Sequence, residues 1–271
     1  MSSQGGTRGR RPLSDLLSLR GRRAVVTGAA TGIGRAVAYR FAEAGASLVL
    51  VDVDGEGLQR VQDEMVPLGV DVRCQTVDLG EKAAIDAFWA AFDESAPEIL
   101  VNNAGIYPLH DFLATDAALL DRVLRVNLHA VFWMCQHMVR RRRGAGGVII
   151  NIGSIEAVLP FQADLAHYAM SKAGVMAFTR TLAREYGPQG FRVNALVPGG
   201  IFTQGVKDTA KGLLHLNLGL IKSGLDFRSR LPVRRFGRPD EVALMALVLA
   251  SDLSSYVQGA LIPVDGGFLS T

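Results

Sequence analysis

Short apolar runs recur along the chain between longer stretches in which apolar residues return every three or four positions. The first pattern is that of strands covered on both faces, and the second that of amphipathic helices packed against them. The runs predict strands at Ala24–Thr27, Leu48–Val51, Val70–Cys74, Ile99–Asn102, Val148–Ile152, Arg192–Val197 and Leu261–Val264. Helical spacing covers Arg35–Glu43, Asp116–Arg142 and His167–Tyr186. Strands and helices alternating in this way form βαβ units, whose crossovers must pass over both faces of one parallel sheet. The expected fold class is therefore α/β: a single doubly wound domain over residues 21–271, built on a seven-stranded parallel sheet with helices on both faces.

Two segments stand outside this rhythm. Residues 1–20 open with a Ser-, Gly- and Arg-rich stretch and are expected to form a disordered arm. Residues 204–231 interrupt the alternation after the sixth strand and carry Leu213, Leu214, Leu216, Leu218, Leu220 and Ile221. An excursion at the C-terminal edge of a parallel sheet can serve as a substrate-binding lid. It can equally be an amphipathic helix that packs subunits together, and the spacing of its leucines allows both.

Composition narrows the function classes. The chain has 271 residues, 49% hydrophobic and 20% charged, enough apolar material for a sizeable core, which excludes global disorder. A net charge of +3 is too mild for a nucleic-acid surface. The sharpest basic run, Arg140 to Arg143, ends a helical stretch, where cations meet the negative end of the helix dipole. Cys74 and Cys135 lie in apolar surroundings with no C-x-x-C pattern or histidine cluster nearby, so they read as reduced core residues and no metal site is expected. The N-terminus lacks the apolar stretch of a secretory signal, and no apolar run approaches the roughly 18 residues of a membrane helix. A cytoplasmic protein is expected, with a small-molecule substrate and no nucleic-acid or membrane partner.

The first strand runs into Thr27-Gly28-Ala29-Ala30-Thr31-Gly32-Ile33-Gly34 and then into a helix. Glycines here allow a tight turn, close approach of the backbone to a pyrophosphate and close helix–strand packing, while the helix N-terminus faces the phosphates. About twenty residues on, the second strand ends in Asp52. A carboxylate at that place accepts hydrogen bonds from ribose hydroxyls and repels the 2′-phosphate of NADP, so the cofactor expected is NAD. Thr31, inside the turn, offers no cation to such a phosphate, whereas Arg35, one residue beyond Gly34, leaves that possibility open. Asp78, after the third strand, can reach the adenine amine.

Tyr168 and Lys172 sit four apart and so share one face of a helix. A phenol with a pKa of about 10 is a poor base at neutral pH, and a neighbouring ammonium stabilises its phenolate and makes proton transfer feasible. Ser154, at the end of the fifth strand, can offer a hydroxyl to the same substrate oxygen. The order of these residues, together with Asn102-Asn103-Ala104-Gly105, Asn127 and Pro198-Gly199 with Thr203, resembles the short-chain dehydrogenase/reductase family over Arg23 to Gly267. Two departures are small: Gly153 stands where that family often has serine, and Ser154 lies fourteen residues before Tyr168, one more than usual.

The resemblance implies a Rossmann-type fold and assigns roles. Tyr168 would be the acid–base residue, Ser154 would fix the substrate oxygen, and Lys172 would also hold the nicotinamide ribose. Asn127 would kink its helix and hold a water in a proton relay with Lys172. Gly28, Thr31, Gly32, Ile33, Gly34, Asp52 and Asp78 would bind the dinucleotide. Asn102, Asn103, Ala104 and Gly105 would brace the sheet beside the adenosine, the last three also binding the cofactor. Pro198, Gly199, Ile201 and Thr203 would contact the nicotinamide side. A homotetramer is implied, with the long helices after the fourth and fifth strands meeting across two-fold axes. Val131, Phe132 and Met134 on one helix, and Val175, Met176 and Phe178 on the other, offer apolar surface for this.

The loop from Glu156 to Asp164, leading to His167, resembles the corresponding loop of family members acting on sugars and polyols. Glu156, Gln162 and His167 are its candidate readers of substrate hydroxyls, and the same side chains could simply face water. Tyr107, Pro108, Leu109 and His110 could form another pocket wall. An NADPH-dependent 3-ketoacyl-carrier-protein reductase is the main rival reading, with the arginine run docking an acidic carrier, and Asp52 argues against it. A non-catalytic dinucleotide-binding protein would share the fold, and intact Ser154, Tyr168 and Lys172 argue against that.

Overall fold

Seven strands, β1 (Arg23–Thr27), β2 (Ser47–Asp52), β3 (Val72–Thr76), β4 (Ile99–Asn102), β5 (Gly147–Ile152), β6 (Phe191–Pro198) and β7 (Leu261–Val264), pair in the order β3-β2-β1-β4-β5-β6-β7. Every pairing is parallel. The computed structural model describes residues 10–92, 96–203 and 227–271. The winding reverses between β1 and β4, so the ends of these two strands open a crevice beyond the C-terminal edge of the sheet, the place where such sheets bind ligands.

The strands read as unbroken apolar runs because both faces are covered, yet alternate residues enter different cores. Ala24, Val26, Leu48, Leu50, Ile99, Val101, Val148 and Ile150 pack on one side with Val37, Phe41, Leu58, Val242 and Leu247. Val25, Val49, Val51, Leu100 and Ile149 pack on the other with Ile85, Trp89, Met134, Met138 and Val175. The period-two direction of strand side chains produces this division.

The first face is covered by α2 (Gly32–Glu43), α3 (Gly55–Met65) and α8 (Pro239–Ala250), and the second by α4 (Lys82–Ala90), α6 (Ala130–Arg141) and α7 (Ala166–Tyr186). Arg40 on α2 grips Asp240 on α8 through two bonds of 2.6 and 2.7 Å. Arg192 on β6 donates to the carbonyls of Leu249, Ala250, Ser251 and Ser254, closing the C-terminal end of α8. Across the sheet, Asn102 donates to Asn151 at 2.8 Å and Asn151 donates to Thr179 at 2.9 Å. This buried polar chain fixes α7, and with it Tyr168 and Lys172, against β4 and β5.

Several expectations are corrected. The stretch Asp116–Arg142 is not one regular helix: α5 (Ala117–Leu124) passes through a π-helical turn at Arg125–His129 into α6. The turn carries Asn127, where the family resemblance placed a kink. The third strand is Val72–Thr76, two residues later than expected, because its register is set by its single neighbour, with Leu48 opposite Val72. In the described part of the arm, α1 (Leu13–Leu17) forms and Leu19 is fully buried. Of the residues expected to supply intersubunit surface, Val131, Met134, Val175 and Met176 are buried within the chain, Phe178 is half-buried and Phe132 is 41% exposed. Residues 204–226 of the excursion lie outside the described residues, whereas Phe227 and Leu231 are buried against Ile155, Met176 and Phe268.

Candidate active site

The loop between β1 and α2 is shaped from both sides. Gly28 and Gly32 have φ of +64° and +58°, the left-handed region that favours glycine. A Cβ on Gly34 would lie 2.1 Å from the Gly28 carbonyl oxygen, so helix and loop touch as backbone. Asn103 ties this turn to the end of β4: its Nδ2 donates to the carbonyls of Thr27 and Gly28 at 2.9 and 3.0 Å. Thr27 Oγ1 in turn accepts from the backbone N–H groups of Asn103 and Ala104. Asn103 therefore ties the turn after β1 to the end of β4.

In front of the turn lies a cleft of about 730 Å³, lined by Gly28, Thr31, Gly32 and Ile33 on the loop side. Asp52 stands at its margin, with Oδ2 accepting from Ala30 N–H at 2.9 Å and Oδ1 from Asp54 N–H at 3.1 Å. The carboxylate is thus oriented before any ligand arrives. Asp78, Ala104, Gly105 and Thr203 also line the cleft. Pro198, Gly199 and Ile201 do not: Gly199 packs against Asp265, and Ile201 is buried and bridges Gly237. Arg35 does not line it either, being held by Glu64 through bonds of 2.7 to 3.0 Å.

The other end of the cleft holds Tyr168 and Lys172. Lys172 is buried, its Nζ donates to the Ile152 carbonyl at 2.8 Å, and it lies 5.9 Å from the centre of the Tyr168 ring. Burial pulls the Lys172 ammonium down to about 8. Burial also pushes the Tyr168 phenol up to about 12, against the lowering effect of its hydrogen bond with Ser154, while Tyr107 and Glu156 add to the rise. Desolvation is the largest influence on both groups in the protein alone, and it favours the uncharged form of each. Such a phenol is held neutral, the form that donates a proton.

Asn127 is fully buried. Its Oδ1 accepts from Ile106 N–H and its Nδ2 donates to the Ile106 carbonyl, both at 2.8 Å, with a further bond to Ser171 at 3.2 Å. These bonds pin the loop after β4. A Cβ on Gly105 would lie 3.3 Å from Asn127 Oδ1 and 3.5 Å from Lys172 Nζ, which places both polar groups around that glycine.

The three candidate readers of substrate hydroxyls do not line the cleft. Glu156 is buried and clamps its own loop, accepting from the N–H groups of Phe161 and Gln162 at 3.3 and 3.2 Å. Burial raises its carboxyl, and the two backbone bonds oppose that rise. His167 is buried and donates through Nε2 to the Pro108 carbonyl at 2.9 Å, joining the two loops around the site. Gln162 is half-buried. Tyr107, one of the expected wall residues, does line the cleft, its ring meeting that of Tyr168 edge-on at 6.1 Å, and three residues not expected from the sequence join it: Arg122, Arg125 and Val126. The last three fall at helical spacing just before Asn127, and that signal was present in the sequence.

A parallel sheet with a glycine turn at its switch point, and Tyr168 and Lys172 at the other end of the same cleft with Ser154 bonded to Tyr168, is the arrangement of a nucleotide-dependent oxidoreductase. A family profile described as enoyl-(acyl carrier protein) reductase matches residues 28–269. The galactitol 2-dehydrogenase (L-tagatose-forming) of Cereibacter sphaeroides is 40% identical over 250 residues, 90% of this chain and 94% of that protein. A 3-oxoacyl-acyl-carrier-protein reductase of Aquifex aeolicus is 34% identical, covering 93% and 98%. Among solved structures, L-sorbose reductase from Gluconobacter frateurii, complexed with NADPH and L-sorbose, superposes with a TM-score of 0.87 at 32% identity, over 94% of this chain and 99% of that one. The chain belongs to the short-chain dehydrogenase/reductase family, and it is an oxidoreductase.

Proposed function

We propose that this enzyme interconverts a secondary alcohol of a sugar or polyol and the corresponding ketone, with NAD as its cofactor. The observation that carries the cofactor choice is the pre-oriented Asp52 carboxylate at the cleft margin, with Arg35 turned away onto Glu64. A 2′-phosphate would meet a fixed negative charge and no cation from the glycine turn. The relatives named above support the substrate class, and the NADPH complex of L-sorbose reductase makes cofactor choice the first point to test.

The residues fit a dinucleotide: the cleft has the volume of a ligand site, glycines bring the backbone to its wall, and the N-terminus of α2 faces it. When bound, the dinucleotide supplies a hydride acceptor and, in its oxidised form, a positive charge that favours the phenolate. Tyr168 holds the transferable proton on its phenolic oxygen. Ser154, hydrogen-bonded to Tyr168, fixes the substrate oxygen within its reach. Lys172 and Asn127 hold the floor of the site and its loop. Further, residues 21–271 form the catalytic domain, and the enzyme works in the cytoplasm as a homotetramer.

The test is a panel of polyols, aldoses and simple secondary alcohols assayed with NAD and NADP in parallel. NAD should give the higher kcat/KM, and Asp52→Ser should narrow the ratio between the cofactors. Polyhydroxylated substrates should exceed simple alcohols. A native preference for NADP would overturn the cofactor reading, and a preference for acyl thioesters would overturn the substrate class.

A further inference from the structure

Two arginines on one face of α5 and the following π-helical turn open onto the dinucleotide cleft, and they differ in one respect. Arg125 is held by Glu81 at 3.1 Å and Asp121 at 3.0 Å. Arg122 is exposed and has no side-chain hydrogen bond or ion pair among the described residues, yet it lines the same cleft as Asp78, Gly80 and Val126. Glycine loop and α2 N-terminus place the phosphates at the centre of the cleft, and Asp52 and Asp78 mark its adenosine end. A Cβ on Gly80 would lie 3.1 Å from Asp78 Oδ1 and 3.4 Å from Val126 Cγ2, so the helix face that carries Val126 and, one turn earlier, Arg122 borders the Asp78 side of the cleft.

We propose that Arg122 binds the adenosine half of the cofactor by laying its guanidinium plane on the adenine ring, opposite the wall that carries Asp52 and Val53. A planar, weakly hydrated cation suits the face of an aromatic ring, and a lysine ammonium in its place has no plane to stack. Val126, one turn further along, supplies the apolar floor beside it. The neighbouring bonds of Arg125 leave that residue as a support for the wall, so the two arginines have separate tasks. The inference rests on the dinucleotide reading of the cleft.

The test is calorimetric binding of ADP-ribose, and separately of nicotinamide mononucleotide, to the full chain and to Arg122→Ala and Arg122→Lys. Arg122 is exposed, so both variants should fold with unchanged Tm. Arg122→Ala should weaken ADP-ribose by about 3- to 30-fold, the range of a cation–π contact. Arg122→Lys should recover less than half of that loss on a logarithmic scale, and nicotinamide mononucleotide should bind all three proteins alike. Unchanged ADP-ribose affinity in Arg122→Ala would overturn the proposal, and full recovery by lysine would replace stacking with simple charge attraction and overturn it too. If the native chain binds no ADP-ribose, the dinucleotide reading itself fails, an outcome separate from the failure of Arg122 alone.

Discussion

Tyr168 and Lys172 show opposite consequences of one burial: the phenol is pushed up to about 12 and the ammonium down to about 8. Ketone reduction uses the neutral phenol as acid and alcohol oxidation uses the phenolate as base, so oxidation should rise with pH between about 6 and 8 while reduction stays level. Initial rates in both directions check this, and an oxidation rate that declines over that interval would contradict it. Tyr168→Phe should lower both directions by about 10²-fold or more with the fold intact. Lys172→Met should lose turnover without losing thermal stability, because removing a buried charge that works against the fold at about 1.4 kcal/mol per pKa unit offsets the lost bond to Ile152. Paired Tm and activity measurements decide, and a drop in both would make Lys172 mainly structural. The identities of Tyr168, Lys172 and Ser154 were legible because their chemistry resides in residue type and spacing. The tasks of Glu156 and His167 were not: a polar side chain in a loop has one sequence signature whether it turns to a substrate or to the backbone of its own loop.

At the scale of elements, Arg192 is the clearest single tie. Its guanidinium serves carbonyls of Leu249, Ala250, Ser251 and Ser254, and Ser254 Oγ besides. Arg192→Ala would leave several of these acceptors without a donor, a cost of about 3 kcal/mol, and should lower Tm by roughly 5–10 °C. Thermal unfolding followed by circular dichroism measures it, and a shift within 1–2 °C would mean that water replaces the guanidinium. The central strands were legible because two covered faces leave an unbroken apolar run. β3 slipped by two residues because an edge strand with one partner alternates weakly, and its place depends on the pairing of Leu48 with Val72. The π-helical turn was invisible to periodicity, since the apolar pattern on either side of Asn127 still reads as helix. Only the family resemblance marked a break there.

For the whole molecule, assembly is the property least visible in one chain. Phe132 is 41% exposed and its ring lies 5.3 Å from that of Phe178, joining α6 and α7 in one apolar patch. Light scattering at micromolar concentration should report four times the 29.0 kDa chain mass, and Phe132→Glu should reduce it. A native monomer would remove the tetramer. The leucine-rich excursion kept both of its sequence readings, since residues 204–226 lie outside the described residues. A last consequence concerns covalent labelling of the chain's five tyrosines. Phenolates attack the sulfur of aryl sulfonyl fluorides and displace fluoride, and a phenol pushed up to about 12 carries almost no phenolate near neutral pH. Tyr168 should therefore be among the last to be tagged in the unliganded enzyme, behind the fully exposed Tyr256. Peptide mass mapping after brief treatment should find the adduct on Tyr256 and leave Tyr168 unmodified, so a reactivity screen for nucleophiles would pass over this active site.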